Sequence, residues 1–253
     1  MDSIEPMKTD PRVADLVRAG KVRLALFLPQ YARDSKSGEL RGIGTGYVAL
    51  EIVRALASRL EIQMQVIEQP TPPAAVESLK AGGCDVLFFG IEPSRVEQVD
   101  FTPPVFQFDY TYMVPAGSSI QRVADVDRPG VRIAIVQSHA SALALKRIVK
   151  HAEMVGSELP EEGFELLRAG KADAFALPRD VLLEFAPLLP GSRVLAEAFG
   201  INRIGAAMAK GQPGRLAYIG EFVEEAKASG LVQRAIESGG LHEFQVSPPA
   251  SAT

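Results

Sequence analysis

The sequence is poor in the residues that form disulfides, metal sites and aromatic platforms. Its 253 residues include one cysteine, three histidines and no tryptophan, and aromatic residues make up only 7%. A lone cysteine, Cys84, excludes an internal disulfide, and the paired Cys and His spacing of a zinc site is missing. We therefore expect no metal and no cofactor, and cysteine usage gives no indication of the cellular compartment.

Two further absences restrict partners and location. The formal net charge is −4, so the chain lacks the basic excess of a nucleic-acid-binding protein. No apolar run approaches the roughly 20 residues of a membrane span, and residues 1–8 show neither the basic nor the apolar region of a signal peptide. We expect a monomer that is not membrane-embedded, periplasmic if a leader was trimmed and otherwise cytoplasmic.

What the sequence does contain is a regular alternation of helical and extended patterns. At 47% hydrophobic residues the chain can bury the cores of two lobes. The first half predicts strands over 22–28, 62–66 and 85–89 and helices over 45–60 and 72–82, and this order is typical of parallel βαβ units. The second half predicts strands over 131–136 and 172–177, helices over 140–150 and 161–168, and a helical segment over 213–238 that is interrupted at Gly230.

An internal repeat indicates that the two halves are similar lobes. The segment from Leu79 to Asp85 and the segment from Leu167 to Asp173 share the pattern Leu-x-Ala-Gly-x-x-Asp, a helix end with a glycine cap followed by a buried strand. Segments 112–117 and 204–210 are predicted to link the lobes as a two-segment hinge, and 118–129 is predicted as a crossing point. The predicted division is lobe 1 at 21–111 plus 210–245, lobe 2 at 112–209, an N-terminal helix within 1–20 and a disordered tail at 246–253.

One segment carries a family resemblance. An aspartate, Asp85, opens an apolar strand, and Arg95 is followed six residues later by Phe101-Thr102-x-Pro104. Together with weaker matches at 38–42, 129–135, 169–174 and 228–231, this pattern resembles the solute-binding proteins of ABC importers, specifically the polar amino-acid-binding type of family 3. The resemblance covers about 21–244. It implies an α/β, two-lobed type II periplasmic-binding-protein-like fold, in which each lobe is a mainly parallel sheet with flanking helices.

The resemblance implies a ligand site in the cleft between the lobes. In the family, the arginine that corresponds to Arg95 pairs with the ligand carboxylate, which suits a planar guanidinium that keeps its charge when desolvated. Groups at the preceding strand end also touch the ligand, and here they are Gly90, Ile91 and Glu92. The alternative for Arg95 is a surface arginine on a polar helix, and Glu92 could instead cap Arg95 internally.

In the second lobe the family grips the carboxylate at a helix N-terminus, where this chain has Ser138, His139 and Ala140. The position of the family's amine-binding aspartate holds Pro178. Arg179 beside it would repel an ammonium and is a second candidate partner, after Arg95, for an anionic ligand. Tyr31 is a candidate for the cleft wall. The alternative for His139 is a residue of the first helical turn with no contact to the ligand. The alternative for Arg179 is a solvated residue at the start of a helix.

These residues predict a protein that binds a small anionic, carboxylate-bearing solute, amino-acid-like solutes included, and closes its cleft on it. An ABC permease is a further candidate partner. Two alternatives stay open. One is an enzyme on the same fold, similar to the cyclohexadienyl or prephenate dehydratases, with Glu92, His139 or Asp180 as proton donor. The other is a cytoplasmic metabolite-sensing module. No catalytic residue is assigned, because no motif for nucleophilic, phosphate or metal chemistry is visible.

Overall fold

The computed structural model describes residues 10–250. A three-residue 3₁₀ turn, Pro11–Val13, opens the described chain. The first half then contains, in chain order, α1 (Ala14–Ala19), β1 (Lys21–Phe27), β2 (Tyr31–Arg33), β3 (Leu40–Gly42), α2 (Thr45–Arg59), β4 (Gln63–Gln69), α3 (Pro72–Lys80), β5 (Val86–Gly90), α4 (Pro93–Val96), β6 (Val99–Phe101) and β7 (Phe106–Val114).

The second half repeats the alternation of strands and helices. Its elements are β8 (Arg132–Val136), α5 (Ala140–Ile148), β9 (Glu153–Ser157), α6 (Pro160–Arg168), β10 (Ala174–Pro178), α7 (Arg179–Phe185), β11 (Arg193–Val194), β12 (Gly200–Ala209), α8 (Pro213–Ala228), α9 (Leu231–Ser238) and β13 (Gln245–Val246).

A single large sheet runs through both lobes, with the strand order β4-β1-β5-β12-β7-β10-β8-β9. On the lobe 1 side, β4, β1 and β5 are parallel and β12 runs antiparallel to β5. On the lobe 2 side, β9, β8 and β10 are parallel and β7 runs antiparallel to β10. The two halves therefore have the same internal arrangement, and they meet where β7 and β12 pair with each other. The predicted two-lobed α/β architecture is confirmed.

Apolar side chains cover both faces of each half of the sheet, because the flanking helices turn their apolar stripes inward. In lobe 1, α2, α8 and α9 pack on one face and α3 on the other. In lobe 2, α5 packs on one face and α6 and α7 on the other. The start of α5 crosses this division, because Ala140 belongs to the core cluster of lobe 1 and Ala144 packs against that cluster. The N-terminus of α5 therefore lies against the opposite lobe.

The strands that join the lobes begin earlier than the sequence indicates. Residues 106–110 of β7 pair antiparallel with 200–204 of β12, so the crossing lies here and not at 112–117 and 204–210. The prediction that 118–129 is a crossing point is wrong, since this loop lies between β7 and β8 and is held by Arg193 of lobe 2. The three aromatic residues of 106–110 are all buried, so this segment lacks the exposed side chains that would mark a linker in the sequence.

The repeated aspartates make equivalent contacts in the two lobes. Asp85 accepts hydrogen bonds from the backbone N–H and the side chain of Arg23 on β1, and Arg23 also donates to the Gly82 carbonyl oxygen at 2.7 Å. Asp173 accepts the same set from Arg132 on β8, which donates to the Gly170 carbonyl oxygen at 2.9 Å. Each clamp fixes a helix end to the start of a strand. The sequence repeat therefore reflects a structural repeat.

The chain ends pack on lobe 1 as far as they are described. The predicted N-terminal helix is present over Ala14–Ala19 and ends at Gly20 in the left-handed conformation, while residues 1–9 lie outside the described residues. The predicted disordered tail differs: Val246 pairs with Phe106, and Ser247 is buried and donates its N–H to the Val105 carbonyl oxygen. Residues 251–253 of that tail lie outside the described residues. Between residues 10 and 250, no helix is long and apolar enough to cross a bilayer.

Candidate ligand-binding site

Arg95 lies inside the protein, between the lobes. The single turn α4 begins with Pro93 directly after β5 and bends the chain back, so that Arg95 is 7% exposed. Its Nη1 donates to the Gly90 carbonyl oxygen at 3.1 Å, and its guanidinium lies 4.5 Å from the centre of the Phe89 ring. Within residues 10–250 it forms no ion pair with a carboxylate. A guanidinium that is buried without a carboxylate partner lowers the stability of the folded protein unless an anion pairs with it.

Gly90 is the point at which the two lobes touch. A methyl group built on Gly90 would lie 2.5 Å from Oδ1 of Asn202, 3.2 Å from the Ala140 methyl and 3.4 Å from Nη1 of Arg95. Strand β5, crossing strand β12 and the start of α5 therefore converge within contact distance of one glycine. A side chain at position 90 would displace the Asn202 side chain and crowd the Ala140 methyl group.

An ion pair joins the lobes beside this contact. The Glu92 carboxylate, which follows β5, pairs with Arg147 of α5. The Glu92 side chain is 7% exposed and that of Arg147 is 49% exposed, so the carboxylate is buried and the guanidinium reaches it from the surface. Glu92 therefore caps Arg147 of the other lobe and does not cap Arg95 directly. It still acts on Arg95 at longer range, because its charge opposes the effect of burial on the pKa of Arg95.

His139 caps the helix that faces Arg95. Its Nδ1 accepts the N–H of Ser141 at 3.1 Å and lies 2.8 Å from the Ser141 hydroxyl. An accepting Nδ1 places the ring proton on Nε2, which leaves His139 as a neutral donor. Burial and the nearby charge of Arg95 lower the pKa of His139 to about 4, which keeps the ring neutral at pH 7. Ser138 is exposed, and Ser141 is fully buried in lobe 2.

Tyr110 and Asn202 complete the site, and neither was identified from the sequence. Tyr110 of β7 is fully buried, its ring lies 6.0 Å from that of His139 in an edge-on arrangement, and burial raises its pKa well above 10.0 while Arg95 opposes that shift. Asn202 of β12 is 5% exposed. The Tyr110 hydroxyl and the Asn202 Oδ1 atom have no hydrogen-bond partner in the part of the chain that the structure describes. A tyrosine among aromatic residues and a polar residue within an extended segment carry no distinctive sequence signal.

Of the residues predicted from the sequence, Arg95, Gly90, Glu92, His139 and Ala140 come together at the interface of the lobes. Ile91 lies next to them, but its side chain turns towards Gly205, and its N–H donates to the Arg203 carbonyl oxygen. Tyr31 is in the short hairpin of β2 and β3, half-buried against the core of lobe 1.

Pro178 and Arg179 are occupied by structural contacts. Pro178 is buried at the end of β10, where it pairs with Tyr110 of β7. Arg179 donates to the Leu195 and Ala196 carbonyl oxygens at 2.7 and 2.9 Å. It also lies 3.6 Å from carboxylate oxygens of Asp109 and Glu243. Arg179 therefore ties α7 to the crossing strand and to the C-terminal segment of lobe 1.

The arrangement favours an anion. Arg95 supplies a positive charge with no ion-pair partner in residues 10–250, Glu92 and Arg147 neutralise each other, and His139 is an uncharged donor. Over the same range, the acidic, His and Cys side chains form no cluster of three that could hold a metal ion. Two outer grooves of about 570 and 350 Å³ lie on lobe 1, and none of their lining residues belongs to this site.

Comparison with known proteins places the chain among solute-binding proteins. The model of the bacterial extracellular solute-binding proteins, family 3, matches residues 28–238. The glutamine-binding protein of Geobacillus stearothermophilus is 24% identical over 182 residues, which cover 70% of this chain and 67% of the relative. The ABC transporter glutamine-binding protein GlnH of Bacillus subtilis (strain 168) is 21% identical over 202 residues, which cover 78% and 72%.

Solved structures show the same fold. The ancestral amino acid-binding protein AncCDT-1, described as a precursor of cyclohexadienyl dehydratase, superposes with a TM-score of 0.73 at 22% identity, over 89% of this chain and 97% of that one. The predicted type II periplasmic-binding-protein fold is therefore confirmed.

Proposed function

Since the chain belongs to family 3 of the bacterial extracellular solute-binding proteins, an amino-acid-binding family of ABC transport, we propose that it binds a small carboxylate-bearing solute between its two lobes. Membership implies a small-molecule ligand, an ABC permease as partner and a typical location outside the cytoplasmic membrane. Beyond this, we propose that the ligand bears a carboxylate, that the residues described above hold it, and that the cleft closes around it.

The observation that carries the proposal is Arg95. It is buried over an aromatic ring and bonded to one carbonyl oxygen, and within the described chain it has no counter-ion. Burying an unpaired charge costs several kcal/mol, on the order of the whole net stability of a small protein. A ligand carboxylate would remove this cost and would bond the guanidinium in a bidentate way.

The second lobe supports the same ligand chemistry. His139 presents its Nε2 proton at the start of α5, and Gly90 lets this helix approach Arg95 closely. Pro178 offers no charge where the family holds the amine of an amino acid, and the carboxylate of Glu92 is engaged by Arg147. We therefore propose that acids without an α-amine bind better than ordinary amino acids.

The test is a thermal-shift screen of small organic acids and the twenty amino acids, followed by calorimetry. We expect organic acids to stabilise the protein and Arg95→Met to abolish their binding. Arg95→Lys should bind with intermediate affinity, because it keeps the positive charge and loses the two parallel N–H donors of the guanidinium. Arg168→Met, which changes an exposed arginine of α6, is the matched control and should bind normally. Unchanged affinity in Arg95→Met, or strong binding of glutamine, arginine or histidine with no response to organic acids, would contradict the proposal.

Recovery of the ligand checks the enzyme alternative. A transport receptor returns its solute unchanged, so NMR spectra of the bound acid should be identical before and after incubation. Conversion of the acid would instead assign the site to catalysis.

A further inference from the structure

Two buried polar atoms on the crossing strands lack partners. The Tyr110 hydroxyl belongs to a fully buried residue, and Asn202 is 5% exposed. Neither the hydroxyl nor the Asn202 Oδ1 atom finds a hydrogen-bond partner within residues 10–250. An unsatisfied buried polar group costs about 1–3 kcal/mol, so each of these two atoms calls for an explanation.

Both atoms lie at the Arg95 site. Asn202 Oδ1 and Nη1 of Arg95 approach the same point beside Gly90, at 2.5 and 3.4 Å from a methyl group built there. Tyr110 and Arg95 shift each other's pKa, and the Tyr110 ring packs edge-on against His139. A carboxylate bound by Arg95 would therefore bring the neighbouring carbon of its own molecule close to Tyr110 and Asn202.

Several groups around these two atoms are already engaged with other partners. His139 uses Nδ1 on Ser141, Glu92 pairs with Arg147, and the Gly90 carbonyl oxygen accepts from Arg95. In this arrangement none of these bonds reaches the Tyr110 hydroxyl or the Asn202 Oδ1 atom. The partner is therefore expected from outside the chain.

The chemistry of that partner is restricted by charge and by space. An ammonium beside Arg95 would meet a like charge, a neutral His139 and a Glu92 that is already paired, so it is disfavoured. A plain hydrocarbon would leave both polar atoms unsatisfied. A hydroxyl is small, uncharged, and both donates and accepts, so it pairs with either end of the Asn202 amide and with the Tyr110 hydroxyl.

We propose that Tyr110 and Asn202 are specificity-determining residues that select a hydroxycarboxylic acid, with its hydroxyl on the carbon next to the carboxylate that Arg95 holds. The inference rests on the proposed function and adds a ligand class to it. It also assigns the two crossing strands a direct role in recognition, beyond joining the lobes.

The experiment compares acids that differ in one substituent. Lactate, propionate and alanine form one series, and 2-hydroxyisocaproate, isocaproate and leucine form a larger one, each titrated by calorimetry at pH 7.5. We expect the hydroxy acid of a series to bind about tenfold to a hundredfold more tightly than the acid without the hydroxyl, as for one or two well-placed hydrogen bonds. The amino acid should be the weakest ligand of the series.

Variants of Tyr110 and Asn202 then test whether these two residues distinguish a hydroxy acid from the unsubstituted acid. Tyr110→Phe removes only a hydroxyl, and Asn202→Leu removes the amide at similar volume; each should bring the ratio of hydroxy-acid affinity to unsubstituted-acid affinity towards one. Asn202→Asp supplies a carboxylate and should shift preference towards alanine or leucine, which a merely structural asparagine would not do. Thermal unfolding of each variant checks that it folds.

The outcomes separate this inference from the proposed function. Equal binding of hydroxy and unsubstituted acids by the wild type, or an unchanged ratio in Tyr110→Phe and Asn202→Leu, overturns the inference while Arg95-dependent binding keeps the proposed function. If no acid of either series binds, or if Arg95→Met binds them normally, the proposed function fails and the inference fails with it.

Discussion

The ion pair between Glu92 and Arg147 should hold the two lobes together, and its contribution can be measured. The pair joins the end of β5 in lobe 1 to α5 in lobe 2. Because the Glu92 side chain is only 7% exposed, Arg147→Met would leave a carboxylate buried without its counter-ion. We expect that change to lower the free energy of unfolding by about 1–3 kcal/mol. Glu92→Gln removes the charge itself and should cost less, about 1 kcal/mol, because a neutral amide is cheaper to bury.

The interaction is isolated by a double-mutant cycle. Urea unfolding of the wild type, Glu92→Gln, Arg147→Met and the double variant should give a coupling free energy of about 1–2 kcal/mol, reduced from that of a fully buried pair because Arg147 is 49% exposed. The matched control is the pair of Arg168 and Glu165, which lies within α6 and whose side chains are 57% and 52% exposed. Its cycle should give about 0.5 kcal/mol or less.

Small-angle scattering tests whether the pair acts between the lobes. Without ligand, Arg147→Met should have a larger radius of gyration than the wild type, and the Arg168→Met control should not. A coupling within about 0.5 kcal/mol of zero, or a coupling equal to that of the control, would refute the reasoning. Coupling without any change in the radius of gyration would show that the pair stabilises the fold and does not restrain the lobes.

Two further predictions concern the same interface. Gly90→Ala should weaken binding of any acid at least tenfold while the protein stays folded, because the added methyl group would lie 2.5 Å from Asn202 Oδ1; calorimetry showing wild-type affinity would contradict the closed geometry. Since the pKa of His139 falls from 6.5 to about 4 on folding, the folded state binds fewer protons, and His139 alone should lower the free energy of unfolding by about 2 kcal/mol between pH 6.5 and 4.5. Asp180, whose pKa is raised to about 6, acts in the opposite direction. His139→Asn keeps the helix cap, so its free energy of unfolding should lack the loss that His139 causes between pH 6.5 and 4.5. If the free energies of unfolding of the wild type and His139→Asn change in parallel with pH, this prediction is wrong.

The regular parts of the fold were predictable because their signals are local. The helix Thr45–Arg59 follows from its apolar stripe, and the break between α8 and α9 follows from Gly230, which adopts a positive φ. The two Leu-x-Ala-Gly-x-x-Asp segments predicted similar lobes, which the equivalent strand orders confirm. By contrast, β9 was missed since this edge strand alternates weakly and buries only Ser157.

The site was only partly accessible from the sequence. Arg95, Gly90 and the α5 N-terminus were identified through a motif and a resemblance, and the structure brings them into contact. The partner of Glu92 is 55 positions away in the sequence, and a single sequence holds no signal for such a pair. Arg179 was equally ambiguous, since its carbonyl partners at Leu195 and Ala196 are set by tertiary packing.

The pairing of the crossing strands has a consequence for how a ligand would arrive. On its second edge, β7 is held by β13 at residues 106–107 and by β10 at residues 110–113, and no described residue pairs with 108–109 on that edge. Bending is easiest where a strand has a free edge, so a rotation of the lobes would pivot near Phe108, directly opposite Asn202. Atoms near an axis of rotation travel least. In the proposed closure, Asn202 and Tyr110 would therefore move less than His139 and Ala140, which lie on the opposite lobe at the start of α5.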